Sequence, residues 1–483
     1  EHVKGHDVAV VEENDRAVPL KHQFYGIENG FGTINELKTW KKQERESKFR
    51  NKKTRKKYFK KLNKKKRTVH VDLVQELKEK DRLPCLYFCF SRKKTQKKAR
   101  ILAGRKNLVT GEERKEITKI SREYFREAEE SVKELKTSMQ LRQCIRKGVA
   151  FHHAGLLPTL KELVEELFNK GLIKALFATE TFAVGINMPA NTVCFDSLEK
   201  FDGRNFRYLK SKEYFQLAGR AGRRGIDKVG YVISVVEQHF DDLDKIKSIT
   251  TGDKEPLKSQ FKLSYNTVLN LINNHDEEKI DELLESSFYT YQKFGKGGKN
   301  IKNDFEKKKA ELKKKGYIEE VYGDEELTEK GLFACKIYTQ ELFVSEIFCS
   351  DITDDLSEKE ILLILGDLMY EDREKTDFKI RKKNHSYSAF DKIKTLNYDD
   401  LTQYFRDQPM FILESFLLKW YHGGDFTELL EYTSMSEGDI VRLIRQILDL
   451  LQQVKHATMN EGLKEKLRTI QDKIDRDVIE VRF

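Results

Sequence analysis

Residues 216–225 read Gln-Leu-Ala-Gly-Arg-Ala-Gly-Arg-Arg-Gly, and residues 178–190 read Ala-Thr-Glu-Thr-Phe-Ala-Val-Gly-Ile-Asn-Met-Pro-Ala. Both blocks follow apolar, strand-like runs. The first block also ends just ahead of a further such run at 230–236. Working outward, residues 83–90 (Leu-Pro-Cys-Leu-Tyr-Phe-Cys-Phe) form a short aromatic-rich run that reads as a buried strand. Residues 148–151 give another, closed by His152-His153-Ala154-Gly155, and further strands are expected near 172–178 and 192–196. Between them lies a helix with Pro158 near its start, apolar residues at 160, 163, 164, 167 and 168, and Gly171 at its end. Strands alternating with helices imply a mostly parallel sheet. In such sheets ligands collect at the carboxyl ends of the strands, where the segments at Ser91, His152, Thr179 and Gln216 all fall.

The 216–225 block sets Arg220 and Arg223 three residues apart. A helical segment there would point both guanidiniums to one side, a geometry suited to clamping a transferring phosphate. The 178–190 and 216–225 blocks together resemble motifs V and VI of superfamily 2 helicases. The wording of the first is similar to that of the superkiller-type and exosome-associated RNA helicases, and the similarity continues to the last residues. There is no G-x-x-x-x-G-K-[ST] phosphate loop and no Asp-Glu-x-His box; Gly295-Lys296-Gly297-Gly298-Lys299-Asn300 is not a substitute. The chain therefore resembles the C-terminal part of such an enzyme without its first RecA-like domain.

The resemblance implies an α/β RecA-like domain with a parallel sheet, followed by a winged helix and an all-α helical bundle. The expected boundaries are a linker strand at 1–30, a basic helical insertion at 31–80, the second RecA-like domain at 81–245, a winged helix at 246–340 and a helical bundle at 341–483. For the winged helix, residues 304–315 read as a helix, followed by a short strand at 316–318 and a second strand at 327–331. In the bundle, Ser436 with Asp439 reads as a helix start. That helix should bury 440, 443, 444, 447, 448, 451 and 454 and carry Arg442, Arg445, Asp449 and Gln452 on its polar stripe. By resemblance it is the ratchet helix that faces the translocating strand. No long insertion lies between 288 and 340, where the eukaryotic exosome helicases carry their arch domain.

The same resemblance assigns roles. Arg220 and Arg223 would be arginine fingers, with Gln216 orienting nucleotide or water. Gly185, Asn187 and Gly219 would lie at the nucleotide, Asn187 as an uncharged variant of the Asp in many relatives. Ser91, Arg92, His153, Gly155, Thr179, Thr181, Arg442 and Arg445 would contact the nucleic acid. ATP and Mg2+ are the implied cofactors, the metal held by the first RecA-like domain, and this chain alone is expected not to hydrolyse ATP. The implied activity is 3′ to 5′ translocation on single-stranded RNA in RNA processing or decay, with an exosome-type complex as possible partner. A DNA-repair helicase and a nucleic-acid-binding scaffold without motor activity are the alternatives.

Composition limits the remaining choices. Of 483 residues, 38% are hydrophobic and 35% charged, enough for several cores. No apolar run approaches the length of a membrane span, and no secretory leader is expected. The six cysteines form no C-x-x-C pair, so no metal site is expected, and buried free thiols fit an intracellular compartment, cytoplasmic or nuclear. Residues 38–67 hold 17 Lys and Arg against Glu44 and Glu46, so this segment alone exceeds the net charge of +11 of the whole chain. Interleaved Trp40, Phe49, Tyr58 and Phe59 could stack on bases while phosphates neutralise the cations.

Overall fold

The structure, a computed structural model, describes residues 9, 11, 16–48, 60, 62, 65–128, 130–183, 188–203, 205–237, 239–252, 256–293, 301–371, 376–379, 384–407 and 410–480. They form two compact units, one of residues 12–256 and one built mainly from 257–483.

The first unit is organised by one sheet. Its strands are β1 (Leu20–Gly26), β2 (Gly30–Gly32), β3 (Cys85–Phe88), β4 (Val149–His152), β5 (Ala175–Ala178), β6 (Thr192–Phe195) and β9 (Gly230–Val236); β7 (Glu199–Phe201) and β8 (Phe206–Tyr208) pair separately as a hairpin. The sheet order is β2-β1-β9-β6-β3-β5-β4, parallel throughout except for the β1–β2 hairpin. Strands β3, β4, β5 and β6 are buried at every position, as expected of a parallel sheet covered by helices on both faces. Phe88, Phe151, Phe177 and Phe195 are fully enclosed, each contributing about 1.5–3 kcal/mol by burial. The helix predicted after Pro158 runs Pro158–Asn169 and buries Leu160, Leu163, Val164, Leu167 and Phe168.

The strand expected within 1–30 is β1, which pairs residue for residue with β9, from Leu20 against Gly230 to Gly26 against Val236, and so belongs to the sheet itself. The helix Val69–Glu79 buries Val69, Leu73, Val74 and Leu77, so the last part of the expected 31–80 insertion belongs to the core. Its apolar spacing of four residues was masked by the basic run before it. Helix Ile34–Lys48 opens that run; residues 49–59, including Phe49, Tyr58 and Phe59, lie outside the described residues.

The second unit begins with helices Tyr265–Asn274, Glu277–Glu285 and Ile301–Lys314, then the hairpin of β10 (Ile318–Val321) and β11 (Asp324–Leu327). Val268, Leu269, Ile280, Phe305, Leu312, Tyr317 and Ile318 form its shared core. The expected strand at 327–331 is corrected. β11 stops at Leu327, and the Thr328 hydroxyl accepts the Gly331 N–H (3.1 Å), starting helix Glu329–Cys335.

The rest of this unit is helical. Helix Glu358–Met369 is its centre, with Ile361, Leu362, Leu363, Ile364 and Leu365 almost inaccessible. It packs against helices Met410–Tyr421, Glu437–Ala457, Asn384–Lys394 and Glu461–Ile474. Trp420 is fully buried and donates its indole N–H to the Ile474 carbonyl (2.8 Å). The helix predicted from Ser436 spans Glu437–Ala457 and buries Ile440, Leu443, Ile444, Ile447, Leu451 and Val454 as expected; Leu448 is only half-buried. The Ser436 hydroxyl donates to Asp439 (2.6 Å) and makes no bond to the helix backbone.

Candidate nucleotide and nucleic-acid edge of the sheet

Strands β3, β4, β5 and β6 end side by side, since Phe88 is level with Ala178 and Phe195 and His152 is level with Ala178. Beyond β3, the Ser91 carbonyl accepts both the N–H and the hydroxyl of Thr95 (2.9 and 2.8 Å) and so begins helix Arg92–Arg105. The Ser91 side chain makes no cap bond. Beyond β5, the Thr179 N–H donates to the His152 carbonyl (3.2 Å), and its hydroxyl lies 3.0 Å from that of exposed Thr181. Ser91, Arg92, Thr179 and Thr181 thus fall along one edge of the sheet. Gly185 and Asn187, expected at the nucleotide, lie outside the described residues.

His152 closes β4 and His153 follows it, and both rings are enclosed. His152 is 5% exposed, and its Nε2 is 2.9 Å from Glu165. That carboxylate alone would favour a charged ring. Burial, reinforced by Lys161 and His153, outweighs it and lowers the His152 pKa to about 3. His153 is 1% exposed, and its Nδ1 accepts the Gly155 N–H (3.1 Å). Nε2 therefore carries the proton, and the Gln96 side-chain amide, 3.0 Å away, accepts it with its oxygen rather than its nitrogen turned to the ring. This corrects the expectation that His153 and Gly155 contact nucleic acid: the ring is enclosed, and the Gly155 N–H is taken by His153. Among the described residues, no group of three or more His, Cys, Asp or Glu is placed to hold a metal.

The arginine segment is not the helix that its spacing suggested. Helix Ser211–Ala218 ends at Gly219, and exposed Gln216 lies in its last turn. Arg220 and Arg223 follow in a turn stitched to the end of the 178–190 block. The Ala190 N–H donates to the Arg220 carbonyl (2.9 Å), and the Gly222 N–H donates to the Ala190 carbonyl (2.8 Å). Gly222 has φ +83°, and a Cβ there would stand 2.5 Å from Val18 Cγ1, so glycine is required. Arg16 braces the turn from the opposite side, donating to the carbonyls of Gly219 (2.8 Å), Ala221 (3.0 Å) and Val18 (2.8 Å).

Arg223 is bound by its own chain. Its Nε and Nη2 donate to the two oxygens of Asp227 (2.9 and 2.8 Å), and its main-chain N–H reaches Oδ2 (2.8 Å). Asn191 adds a donor at 2.8 Å. Burial would raise the Asp227 pKa, but these hydrogen bonds hold it at about 2. In the second unit, Arg442 makes one long bond to Asp439 (3.3 Å). Arg445 donates to the carbonyls of Ile479 (2.8 Å) and Glu480 (3.3 Å).

Sequence reasoning missed several polar groups at this edge. Lys98 pairs with Asp196 after β6 (2.5 Å), and Tyr87 donates to the same carboxylate (3.2 Å). Lys200 on the β7–β8 hairpin bridges Glu180 (2.7 Å) and Glu213 (3.0 Å), while Arg207 forks onto Glu213. That fork holds the Glu213 pKa at about 2 despite partial burial. The hairpin exposes Phe201 and Phe206, ring centroids 5.4 Å apart. Asp202-Gly203 between them was its readable signal.

The chain is similar to two known domain families. Residues 65–225 match the helicase conserved C-terminal domain, and residues 324–481 match the DSHCT (NUC185) domain. The DExH-box ATP-dependent RNA helicase DExH11 of Arabidopsis thaliana is 41% identical over 216 residues, 45% of this chain and 16% of that protein. The human exosome RNA helicase MTR4 is 41% identical over 222 residues, 46% of this chain and 21% of that protein. The antiviral helicase SKI2 of Saccharomyces cerevisiae is 39% identical over 217 residues, 45% of this chain and 17% of that protein. The matches thus span about a fifth of the length of these relatives. Among the described residues no helix is long and apolar enough to cross a membrane.

Proposed function

For a chain that carries a helicase C-terminal domain and a DSHCT domain, and whose homologues are superkiller-type RNA helicases, we propose that it supplies one half of an ATP-dependent RNA motor. The supporting observation is the stitched pair of loops at the sheet edge. Main-chain bonds between Ala190 and the Arg220–Gly222 turn tie the segment expected to touch both ligands to the segment expected to reach the nucleotide. A displacement of one loop is then felt by the other.

In this reading Arg220 is the arginine finger. It would meet charge developing on the transferring phosphoryl group, an effect worth roughly 10³–10⁵ in rate in NTPases. Arg223, clamped by Asp227, would orient the turn. Gln216 at the end of its helix would orient the nucleotide or water. ATP brings the phosphoryl group, and the phosphate cradle and Mg2+ would come from a first RecA-like domain; nothing in the donor set described here replaces them. Ser91, Arg92, Thr179 and Thr181 would hold the RNA backbone through phosphate and sugar, contacts that read no sequence. Residues 246–340, with the β10–β11 hairpin between helices Ile301–Lys314 and Glu329–Cys335, would act as a winged helix, and helix Glu437–Ala457 would line the track. The place of action would be intracellular RNA processing or decay, with an exosome-type complex as partner.

The test is ATP hydrolysis by this chain combined with its first RecA-like half, with single-stranded RNA or DNA added. RNA-selective stimulation that falls by about 10³-fold or more in Arg220→Ala is expected. Equal stimulation by DNA would replace RNA with DNA as the substrate. Hydrolysis by this chain alone would overturn the division of the ATP site.

A further inference from the structure

Helix Arg92–Arg105 has two faces of opposite character. One face turns inward and pairs Lys98 with Asp196. The other forms a wall of an open groove against the end of helix Lys136–Ile145, lined by Lys93, Lys97, Arg100, Gly104, Arg146 and Lys147. Gln96, which partners His153, also lines it. No Asp or Glu lines the groove. None of its five cations pairs with a carboxylate among the described residues, in contrast to Lys98 on the inward face. Lys93, Lys97, Arg100 and Arg146 are exposed. Lys93–Lys97 and Lys97–Arg100 are like-charge pairs at helical neighbour spacing, which destabilise the helix. An unneutralised row of this kind calls for an external polyanion.

The topology gives the groove a direction. Helix Arg92–Arg105 starts at the carboxyl end of β3 and runs back antiparallel to it. Helix Lys136–Ile145 precedes β4, which places Arg146 and Lys147 at the amino end of that strand. The groove therefore leaves the edge that holds Ser91 and Thr179 and descends the face of the unit. From Lys93 to Gly104 the helix advances roughly 16 Å, and the groove volume is about 860 Å³, too long and too large for one phosphate.

We propose that this groove is a second single-stranded nucleic-acid site, continuous with the sheet-edge contacts, that carries the backbone of a strand several nucleotides beyond the ATP-linked loops. It rests on the RNA-motor reading and adds a contact outside the sheet edge. Lys97 and Arg100 sit at its middle and serve phosphates; Ile101 and Ala103 supply apolar wall.

The experiment measures binding of labelled single-stranded RNA to the full chain by fluorescence anisotropy at several salt concentrations. Strands of about 4 and about 16 nucleotides bracket the usual site sizes. The variants are Lys97→Gln/Arg100→Gln and Arg146→Gln/Lys147→Gln, with thermal melting confirming the fold. Each double variant should bind the long strand about tenfold more weakly and lose about 1.4 from its salt slope, two phosphates at about 0.7 each. Binding of the short strand should stay unchanged. Unchanged long-strand binding in both variants overturns the groove and leaves the motor reading intact, as does a wild type that binds both lengths alike. Equal losses at both lengths reveal bulk charge and also overturn it. A wild type that binds neither strand sinks both readings. Variant-sensitive binding of a polyglutamate peptide in place of RNA would assign the groove to an acidic protein partner and overturn the proposal.

Discussion

Arg223 in the RecA-like unit and Arg445 in the helical unit each lie three residues beyond another arginine, and the two differ in what they meet. Arg223 brings Nε, Nη2 and its main-chain N–H onto one carboxylate, Asp227. Arg445 reaches two main-chain carbonyls, those of Ile479 and Glu480. The Asp227 hydrogen bonds raise the Arg223 pKa further, whereas burial lowers that of Arg445. The first is an ion clamp with a forked geometry; the second is a charged donor on neutral acceptors, and such contacts are weaker. Equal spacing in sequence therefore locates two guanidiniums without telling how strongly either is held. Lys93, Lys97 and Arg100 sharpen the point: among the described residues they pair with no carboxylate either, though no arginine motif includes them.

The largest expected effect comes from breaking the clamp. Asp227→Ala removes three hydrogen bonds from Arg223 and one from Asn191, and should cost about 2–4 kcal/mol in urea unfolding. If Arg223 only orients the turn, ATP turnover should fall together with stability. A variant that loses stability but turns over ATP faster would make Arg223 a second finger released from its tether. Asp227→Asn should be milder, since the amide oxygen still accepts from the guanidinium.

Acid separates the two units next. Burial, with Lys98, lowers the His70 pKa to about 3, and burial does the same for His152. Both lie below the ordinary histidine value of 6.5, so the unfolded chain takes up these protons first. Their stability contribution is present above pH 6.5 and is lost as pH falls toward 3. Asp241 works in reverse. Burial raises its pKa to about 6 from 3.8, so the folded form takes that proton first and gains stability as pH falls from 6 toward 3.8. His22 is lowered and Glu165 raised, burial being the main cause of each, and they oppose one another. One uncompensated histidine remains, predicting a loss of about 1.4 kcal/mol per pH unit between pH 6 and 4. Among the groups of the helical unit that titrate in acid, the large shift is Glu360, which Lys392 and Ser357 hold at about 2 against burial; its window opens only below the ordinary 4.5, and His422, lowered by burial, is exposed. The RecA-like unit should therefore lose amide protection first when hydrogen exchange is followed from pH 7 to 5. Loss beginning in the helical unit would contradict the assignment, and His70→Phe should flatten the profile.

Much of the fold was legible because short apolar runs at 83–90, 148–151 and 230–236 have few alternatives to buried strands. A strand was expected within 1–30, but the partner of β1 lies some two hundred residues away, and only the fold brings the two together. A helical segment was expected through 31–80, but the basic run dominates its composition and hides that Val69–Glu79 packs into the core. At the site, the hydroxyls of Ser91, Thr179 and Thr181 fell where the strand ends required. The histidines did not, because burial, which decides whether an imidazole faces ligand or core, depends on the helix Pro158–Asn169 and on Gln96 from another helix. The partners of the arginines were equally illegible: Asp227, Asn191 and Arg16 are ordinary residues until the turn folds between them.

The smallest effect probes the weaker half of the comparison. Arg445→Met keeps most of the aliphatic volume and removes two hydrogen bonds to the chain end, so it should destabilise the helical unit by only about 1 kcal/mol. The change should be local, seen as faster exchange near Ile479 with little effect on the Trp420 core. If Arg445 serves only the chain end, RNA affinity should stay within about twofold. A tenfold loss of RNA binding without faster exchange at Ile479 would show that the guanidinium leaves its carbonyls to meet the strand, as a donor on neutral acceptors can when phosphate is offered. The Arg223 clamp has no such freedom, because its release strands a mostly buried carboxylate, and that asymmetry is what the pair of variants measures.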